Sequence, residues 1–294
     1  MRISDSIFKE RLRILAIAIS SAILMPAFYS CNTDKDEPKA PPTNTPAEPQ
    51  PGEDNDPQPD NPDPSHFEGL ETVMLPEGLA SQIKEYTGFT LSYNKDNKTP
   101  NYVAWELLGT EVSNNVSRTN NFWKDTEIVG CTAHSDYTGS HYDRGHMCPA
   151  ADQKWSAEAM NDCFVMANMC PQLHDLNAGA WETLESKERQ WAKRDSAVMI
   201  VAGPIYSEDD TTYFGNAKVR VPGAFFKVLI APYLDEPRGI AFVYPHMNCP
   251  GNMQDYATSI DEVEKMTGFD FFSSLPDEIE NKLESSYSFT DWNK

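Results

Sequence analysis

The 294-residue chain is short of positive charge: 24 Lys and Arg stand against 45 Asp and Glu, a formal net charge of −21. That shortage excludes a generally basic surface that coats nucleic acid, and leaves a local basic groove or a metal ion as the means of meeting a polyanion. Long hydrophobic runs are scarce as well. The main one, Ile14 to Phe28, is too short for a comfortable membrane span, which disfavours an uncleaved anchor. Large apolar residues are almost missing between residues 32 and 66, and no internal repeat follows.

The first segment reads as a targeting signal. Arg2, Lys9, Arg11 and Arg13 precede the apolar run, and Ser30 leads into Cys31, the pattern of an export signal over residues 1–30 that ends at a cysteine. This end resembles a bacterial lipoprotein signal. The resemblance implies that Cys31 becomes the lipid-bearing first residue, tethering an exported protein to the cell envelope, at the outer membrane or cell surface. Asn32-Thr33-Asp34-Lys35-Asp36-Glu37 opens an acidic, proline-dense tract, and residues 31–66 are expected to form an extended spacer. The first 31 residues carry four Lys and Arg against two Asp and Glu, residues 32–65 carry two against nine, and 18 against 34 remain. The folded part is itself acidic.

Residues 67–294 have globular patterning. Phe89 to Tyr93 alternates apolar and polar residues and pairs with Tyr102 to Leu108 across a turn at Asp96 to Pro100, an opening hairpin. Further strand-like runs are Phe164 to Met169, Ala197 to Gly203, Phe225 to Ile230 and Ile240 to Tyr244. Helices are expected over Ala178 to Arg194, Ser259 to Met266 with a stop at Gly268, and Asp277 to Leu283 after Pro276. This interleaving predicts a single α+β domain with a mainly antiparallel central sheet flanked by helices.

The chemistry concentrates in Tyr142-Asp143-Arg144-Gly145-His146-Met147-Cys148-Pro149-Ala150-Ala151-Asp152. A histidine can take a proton from water near neutral pH, provided that other groups meet the charge developing on the substrate. Arg144 is such a cation. Downstream, Glu185 and Arg189 lie one helical turn apart, while Asn177 is about 12 Å from Glu185 along a regular helix axis. Asn177 and Glu185 can therefore serve one hydrated ion only through a water or a bent helix entry. A hard ion such as Mg²⁺ takes oxygen ligands and keeps several waters, so sparse protein ligation suits it.

Asp143 to Pro149, then Ala167-Asn168-Met169-Cys170-Pro171-Gln172, Asn177, Trp181, Leu184-Glu185 and Arg189, resemble the DNA/RNA non-specific endonuclease family with its ββα-metal active site. Pro100 to Leu107, Ile200 to Gly203 and Thr267 to Phe272 are similar to it too, so the resemblance covers roughly residues 85–285. By position it implies His146 as general base, Asn177 as direct ligand of a hydrated Mg²⁺ (Mn²⁺ being the alternative ion), and Glu185 as holder of a water in the ion's shell. Arg144, Asn168 and Arg189 match polar groups around the scissile phosphate, and Arg118 matches an upstream substrate-binding arginine. The implied reaction is hydrolysis of DNA and RNA to 5′-phosphate products, with the ion stabilising the leaving 3′-oxygen and little base readout.

Plainer readings compete. Asn177 can be a helix N-cap, Glu185 and Arg189 an intrahelical ion pair, Arg118 a surface residue, and Trp181 and Trp191 core rather than a stacking platform. Cys131, His134, His146 and Cys148 could form a zinc site, giving a zinc-stabilised structural module. A catalytically inactive nucleic-acid-binding or adhesion lipoprotein is the remaining alternative. Apart from Cys31, Cys131, Cys148, Cys163, Cys170 and Cys249 make an odd number, so at most two internal disulfides are expected.

Overall fold

The computed structural model describes residues 68–113 and 115–294; the expected export signal, Cys31 and the expected spacer lie outside the described residues. The first strands are β1 (Gln82–Tyr86), β2 (Phe89–Asn94) and β3 (Thr99–Leu108). The β2–β3 turn forms because Asn94 accepts the backbone N–H groups of Asp96 and Asn97 on its side-chain oxygen, and Lys98 closes it at φ 64°. The expected hairpin is present, but the sheet begins one strand earlier. Gln82-Ile83-Lys84-Glu85-Tyr86 occupies a sheet edge with no residue fully buried, so its sequence lacks the alternation of a half-buried strand.

The later strands are β4 (Asp143–His146), β5 (Met169–Gln172), β6 (Ala197–Ile205), β7 (Tyr213–Phe214), β8 (Val219–Arg220), β9 (Ala224–Ala231), β10 (Arg238–Pro245) and β11 (Ala257–Thr258). The α-helices are α1 (Ala157–Asp162), α2 (Glu182–Asp195), α3 (Ile260–Thr267), α4 (Asp277–Glu284) and α5 (Phe289–Trp292). Seven strands make one sheet, β1-β2-β3-β6-β9-β10-β11, antiparallel at every pairing. The fold is thus α+β with a central antiparallel sheet, as expected.

Both sheet faces are covered, which explains why β6 and β9 are buried along their whole length and read as apolar runs, broken in β9 only by Lys227. Along β3, Val103, Trp105 and Leu107 enter one core, which α2 closes with Leu184, Trp191 and Ala192. Tyr102 and Ala104 enter the other, closed by Ile260 and Val263 of α3 and Leu283 of α4. Each fully buried Val, Leu, Ile or Phe stabilises by roughly 1.5–3 kcal/mol relative to exposure. Trp181 and Trp191 are core residues.

Helix α3 starts where Ser259 accepts the N–H of Glu262 and stops at left-handed Gly268, φ 73°, as its sequence signals. Two expectations are corrected. The run Phe164 to Met169 is not a strand: Met166–Asn168 is a 3-10 turn and β5 starts only at Met169. A short apolar run marks burial, and burial alone does not separate a strand from a buried turn. Likewise α2 begins at Glu182, because Leu176–Trp181 forms an irregular wide turn broken at Gly179 (φ −114°, ψ −109°).

Candidate active site

The site is built on the two-stranded unit β4–β5 and the helix after it. Antiparallel pairing sets Asp143 opposite Gln172 and His146 opposite Met169. Glycine at 145 makes room for the Gln172 side chain, since a Cβ there would lie 2.0 Å from the Gln172 Oε1 and force that side chain to move. Alternation along β4 gives Arg144 and His146 one face and Asp143 the other.

On the first face two phenylalanines hold the charged groups. The Arg144 guanidinium lies 4.7 Å over the Phe122 ring and that of Arg118 lies 5.2 Å over Phe164. His146 packs against both rings, at 4.9 Å from Phe164 and 5.7 Å from Phe122. It is buried, and its Nε2 has no hydrogen-bond partner. Burial first, and then repulsion from Arg118, pushes its pKa down to about 3; a hydrogen bond to the Arg144 backbone opposes this, and the Arg144 charge adds to it. At neutral pH the ring is therefore uncharged, the form a general base needs. The Arg144 Nε is likewise buried and unpartnered.

On the second face Asp143 gathers the helix entry. Its Oδ2 accepts from the Asn177 Nδ2 at 2.9 Å and bonds the His174 Nδ1 at 2.8 Å. That bond orients the Asn177 amide and leaves its carbonyl oxygen as a hard donor. The bend at Gly179 is one of the two alternatives that let Asn177 and Glu185 serve one ion. Glu185, half-buried in α2, has its carboxyl pushed up to about 8, mainly by desolvation and by repulsion from Glu188 and Asp152, against attraction from Lys227 and Arg189. Three carboxylates thus face two cations here. With Glu188 paired to Lys227 and Asp152 to Arg189, Glu185 is the carboxyl left without a cation, and it and the Asn177 carbonyl, both oxygen donors, fit a divalent ion that they would hold.

Arg189 and Asn168 are placed differently from a simple phosphate clamp. Arg189 donates from Nη1 to buried Asp152 at 2.8 Å and from Nη2 to the Ser186 hydroxyl, while the Trp105 Nε1 donates to the other Asp152 oxygen. Asn168 is fully buried; its Nδ2 donates to the carbonyls of Cys148 and Cys163, and its Oδ1 accepts the Cys148 N–H. It ties the segment after His146 to the segment before β5. Beneath α2, Lys227 and Glu188 form a fully buried ion pair at 2.8 Å, with the ammonium 4.7 Å from the Trp181 ring.

The zinc reading is overturned. Among the described residues the one group of three clustered metal-ligating His, Cys, Asp or Glu side chains is Asp261, Glu264 and Glu284. His146 is enclosed by phenylalanines, and Cys148 is buried beside the Gln153 Nε2. Nor do the expected disulfides form: Cys131, Cys148, Cys163, Cys170 and Cys249 are all buried free thiols. The sequence had assigned no roles to Phe122, Phe164, Asp143, Asp152 or the Lys227–Glu188 pair. Asp143 and Asp152 bracket the motif and could have been found there; the phenylalanines carry no local signal.

The model of the DNA/RNA non-specific endonuclease family matches residues 68–278, which include Arg118, Arg144, His146, Asn168, Asn177, Glu185 and Arg189. The chain belongs to that family. Among relatives of this endonuclease, a nuclease of Nostoc sp. is 34% identical over 230 residues, 73% of this chain and 80% of the relative. The mitochondrial nuclease EXOG of Mus musculus is 30% identical, over 71% of this chain and 63% of its own length. A chain in the crystal structure of the EndoG/EndoGI complex, which addresses the mechanism of EndoG inhibition, superposes with TM-score 0.62 at 28% identity, covering 66% of this chain and 86% of that one. The endonuclease thus acts on nucleic acid.

Proposed function

We propose that this nuclease is a metal-dependent, sequence-non-specific endonuclease that hydrolyses DNA and RNA to 5′-phosphate products, with Mg²⁺ as its ion and Mn²⁺ as the alternative. The observation that carries the mechanism is the buried, unpartnered Nε2 of neutral His146 beside the guanidinium groups of Arg144 and Arg118. His146 takes the proton from the attacking water at Nε2, while its backbone hydrogen bond keeps the ring in register. Arg144, with Arg118 at the rim, meets the phosphate charge that grows as water attacks. Asn177 would ligate the ion directly and Glu185 would hold a water in its shell, with Asp143 orienting Asn177. Bound there, the ion supplies charge neutralisation at the phosphate and the leaving 3′-oxygen. Arg189 and Asn168 serve by position: Arg189 keeps α2 against Asp152, and Asn168 keeps the His146 segment closed. No base-reading element is needed, since contacts to sugar and phosphate suffice.

The purified full chain should nick plasmid DNA and degrade RNA in Mg²⁺, stop on addition of EDTA, and lose at least about 100-fold in activity as His146→Ala while keeping its thermal transition. An intact, folded protein that cleaves nothing in Mg²⁺ or Mn²⁺ would sink the reading. Residues 1–31 support an exported form anchored through lipid on Cys31, with residues 31–66 as spacer and residues 67–294 as the nuclease unit. Cys31→Ala should then release the enzyme from the membrane fraction of a bacterial host.

A further inference from the structure

On the sheet face opposite His146, α3 and α4 bring three carboxylates together. Asp261 and Glu264 are three residues apart on one side of α3, and Glu284 is the last residue of α4; their ligand oxygens all lie within 4.8 Å of one another. Glu284 is only 7% exposed, and its buried Oε1 has no hydrogen-bond partner. The charged groups acting most on it are Glu264, Glu280, Asp261 and Asp270, all acidic. No lysine answers them: Lys265 is paired with Glu262, and Lys282 forms no ion pair among the described residues. Glu264 is fixed in place because its Oε1 accepts the Phe271 N–H at 2.9 Å.

We infer that Asp261, Glu264 and Glu284 form a second cation site, which binds a Ca²⁺-class ion and pins α3 to α4. An unpartnered carboxylate oxygen nine-tenths buried requires a positive charge or a proton. The last carbonyls of α4 add the negative end of its dipole beside Glu284. Oxygen-only ligands select a hard ion, and carboxylates supplied by two separate helices suit Ca²⁺, which accepts irregular geometry at about 2.3–2.6 Å, better than Mg²⁺, which demands a near-ideal octahedron at about 2.1 Å. Three protein oxygens with water completing the shell make a weak site, with Kd on the order of 10⁻⁴–10⁻³ M.

The site is independent of catalysis, so stability reports on it. The thermal transition of the full chain is measured in EGTA, in CaCl2 and in equal MgCl2. With Ca²⁺ about tenfold above Kd, Tm should rise by roughly 3–5 °C, and less in Mg²⁺. Asn177→Ala, which removes the expected ligand of the catalytic ion, should retain the Ca²⁺ shift, and titration calorimetry of that variant should still detect Ca²⁺ binding. Glu284→Gln and Asp261→Asn should lose the shift; if Glu284→Gln does not fold, the half-buried Asp261→Asn carries the comparison. The proposal is overturned if Ca²⁺ leaves the wild-type Tm unchanged, or if the shift disappears in Asn177→Ala and persists in both carboxylate variants. It is equally overturned if the cluster is stabilised by acid but not by Ca²⁺, the mark of a carboxyl pair sharing a proton.

Discussion

At His146 the protein fixes a protonation state before any substrate arrives. The unfolded histidine binds its proton near 6.5 and the folded one only near 3. Between those values the unfolded chain holds more protons, so the stability tied to neutral His146 is complete above about 6.5 and is lost as pH falls toward about 3. NMR titration should find His146 neutral from pH 8 to pH 5. His174, whose pKa is raised by its hydrogen bond to Asp143, should titrate above the ordinary histidine range. A midpoint for His146 near 6.5 would contradict its enclosure by Phe122 and Phe164.

Glu185 behaves in the opposite sense. Its carboxyl, pushed up to about 8, is protonated at neutral pH in the absence of a cation and must lose that proton as an ion binds. Mg²⁺ affinity should therefore rise with pH up to about 8 and then level off. Calorimetry at pH 7 in two buffers of different ionisation enthalpy should detect release of up to about one proton, absent in Glu185→Gln.

At the scale of elements, α2 is positioned from below as much as by its own sequence. Removing one member of the Lys227–Glu188 pair leaves a buried charge uncompensated, so Lys227→Met should cost about 3–5 kcal/mol in denaturant unfolding. Lys227→Met with Glu188→Leu should recover most of that loss, since apolar replacement of a whole buried pair is often neutral. The β4–β5 unit has its own weak point. Gly145→Ala forces the new methyl onto Gln172 and should destabilise by about 1–3 kcal/mol, with partial rescue by Gln172→Ala.

These elements were unevenly legible. The strands β2, β3, β6, β9 and β10 and helix α3 follow from alternation, apolar runs and caps, because in each the local pattern and the tertiary role agree. β1 was hidden by its exposed edge position, and Phe164 to Asn168 by burial without strand pairing. In the site, the motif named Arg144 and His146, and the downstream blocks named Asn177, Glu185 and Arg189. The aromatic floor was not legible: Phe122 reaches His146 across 24 residues of chain, and nothing near it in sequence marks that contact. The commitment of Arg189 to Asp152 was hidden for the same reason, since helical spacing offers Glu185 as its partner.

For the molecule as a whole, acidity shapes how substrate is approached. The part beyond residue 65 carries 18 Lys and Arg against 34 Asp and Glu, so a nucleic acid meets net repulsion until it reaches Arg118 and Arg144. Monovalent salt screens the long-range repulsion first. At low ionic strength kcat/KM should thus rise with added NaCl toward about 0.1 M, where the Debye length is about 10 Å, and fall beyond it as the local guanidinium contacts weaken. A monotonic fall from the lowest salt would mean that the local groove outweighs the net charge.

The four residues of β4 serve both faces at once: Arg144 and His146 toward the phenylalanines, Asp143 toward Asn177. Such a strand has a reading frame. Side chains can be exchanged position by position, but a single insertion or deletion within Asp143–His146 would exchange the two faces, turning the base away from its floor and the carboxylate away from the helix entry. The 22-residue connection from Met147 to Asn168 is held too, by Asp152 on Arg189 and Trp105, by Phe164 on His146 and by the amide ties of Asn168, so length variation in this enzyme should be excluded from both and confined to exposed turns.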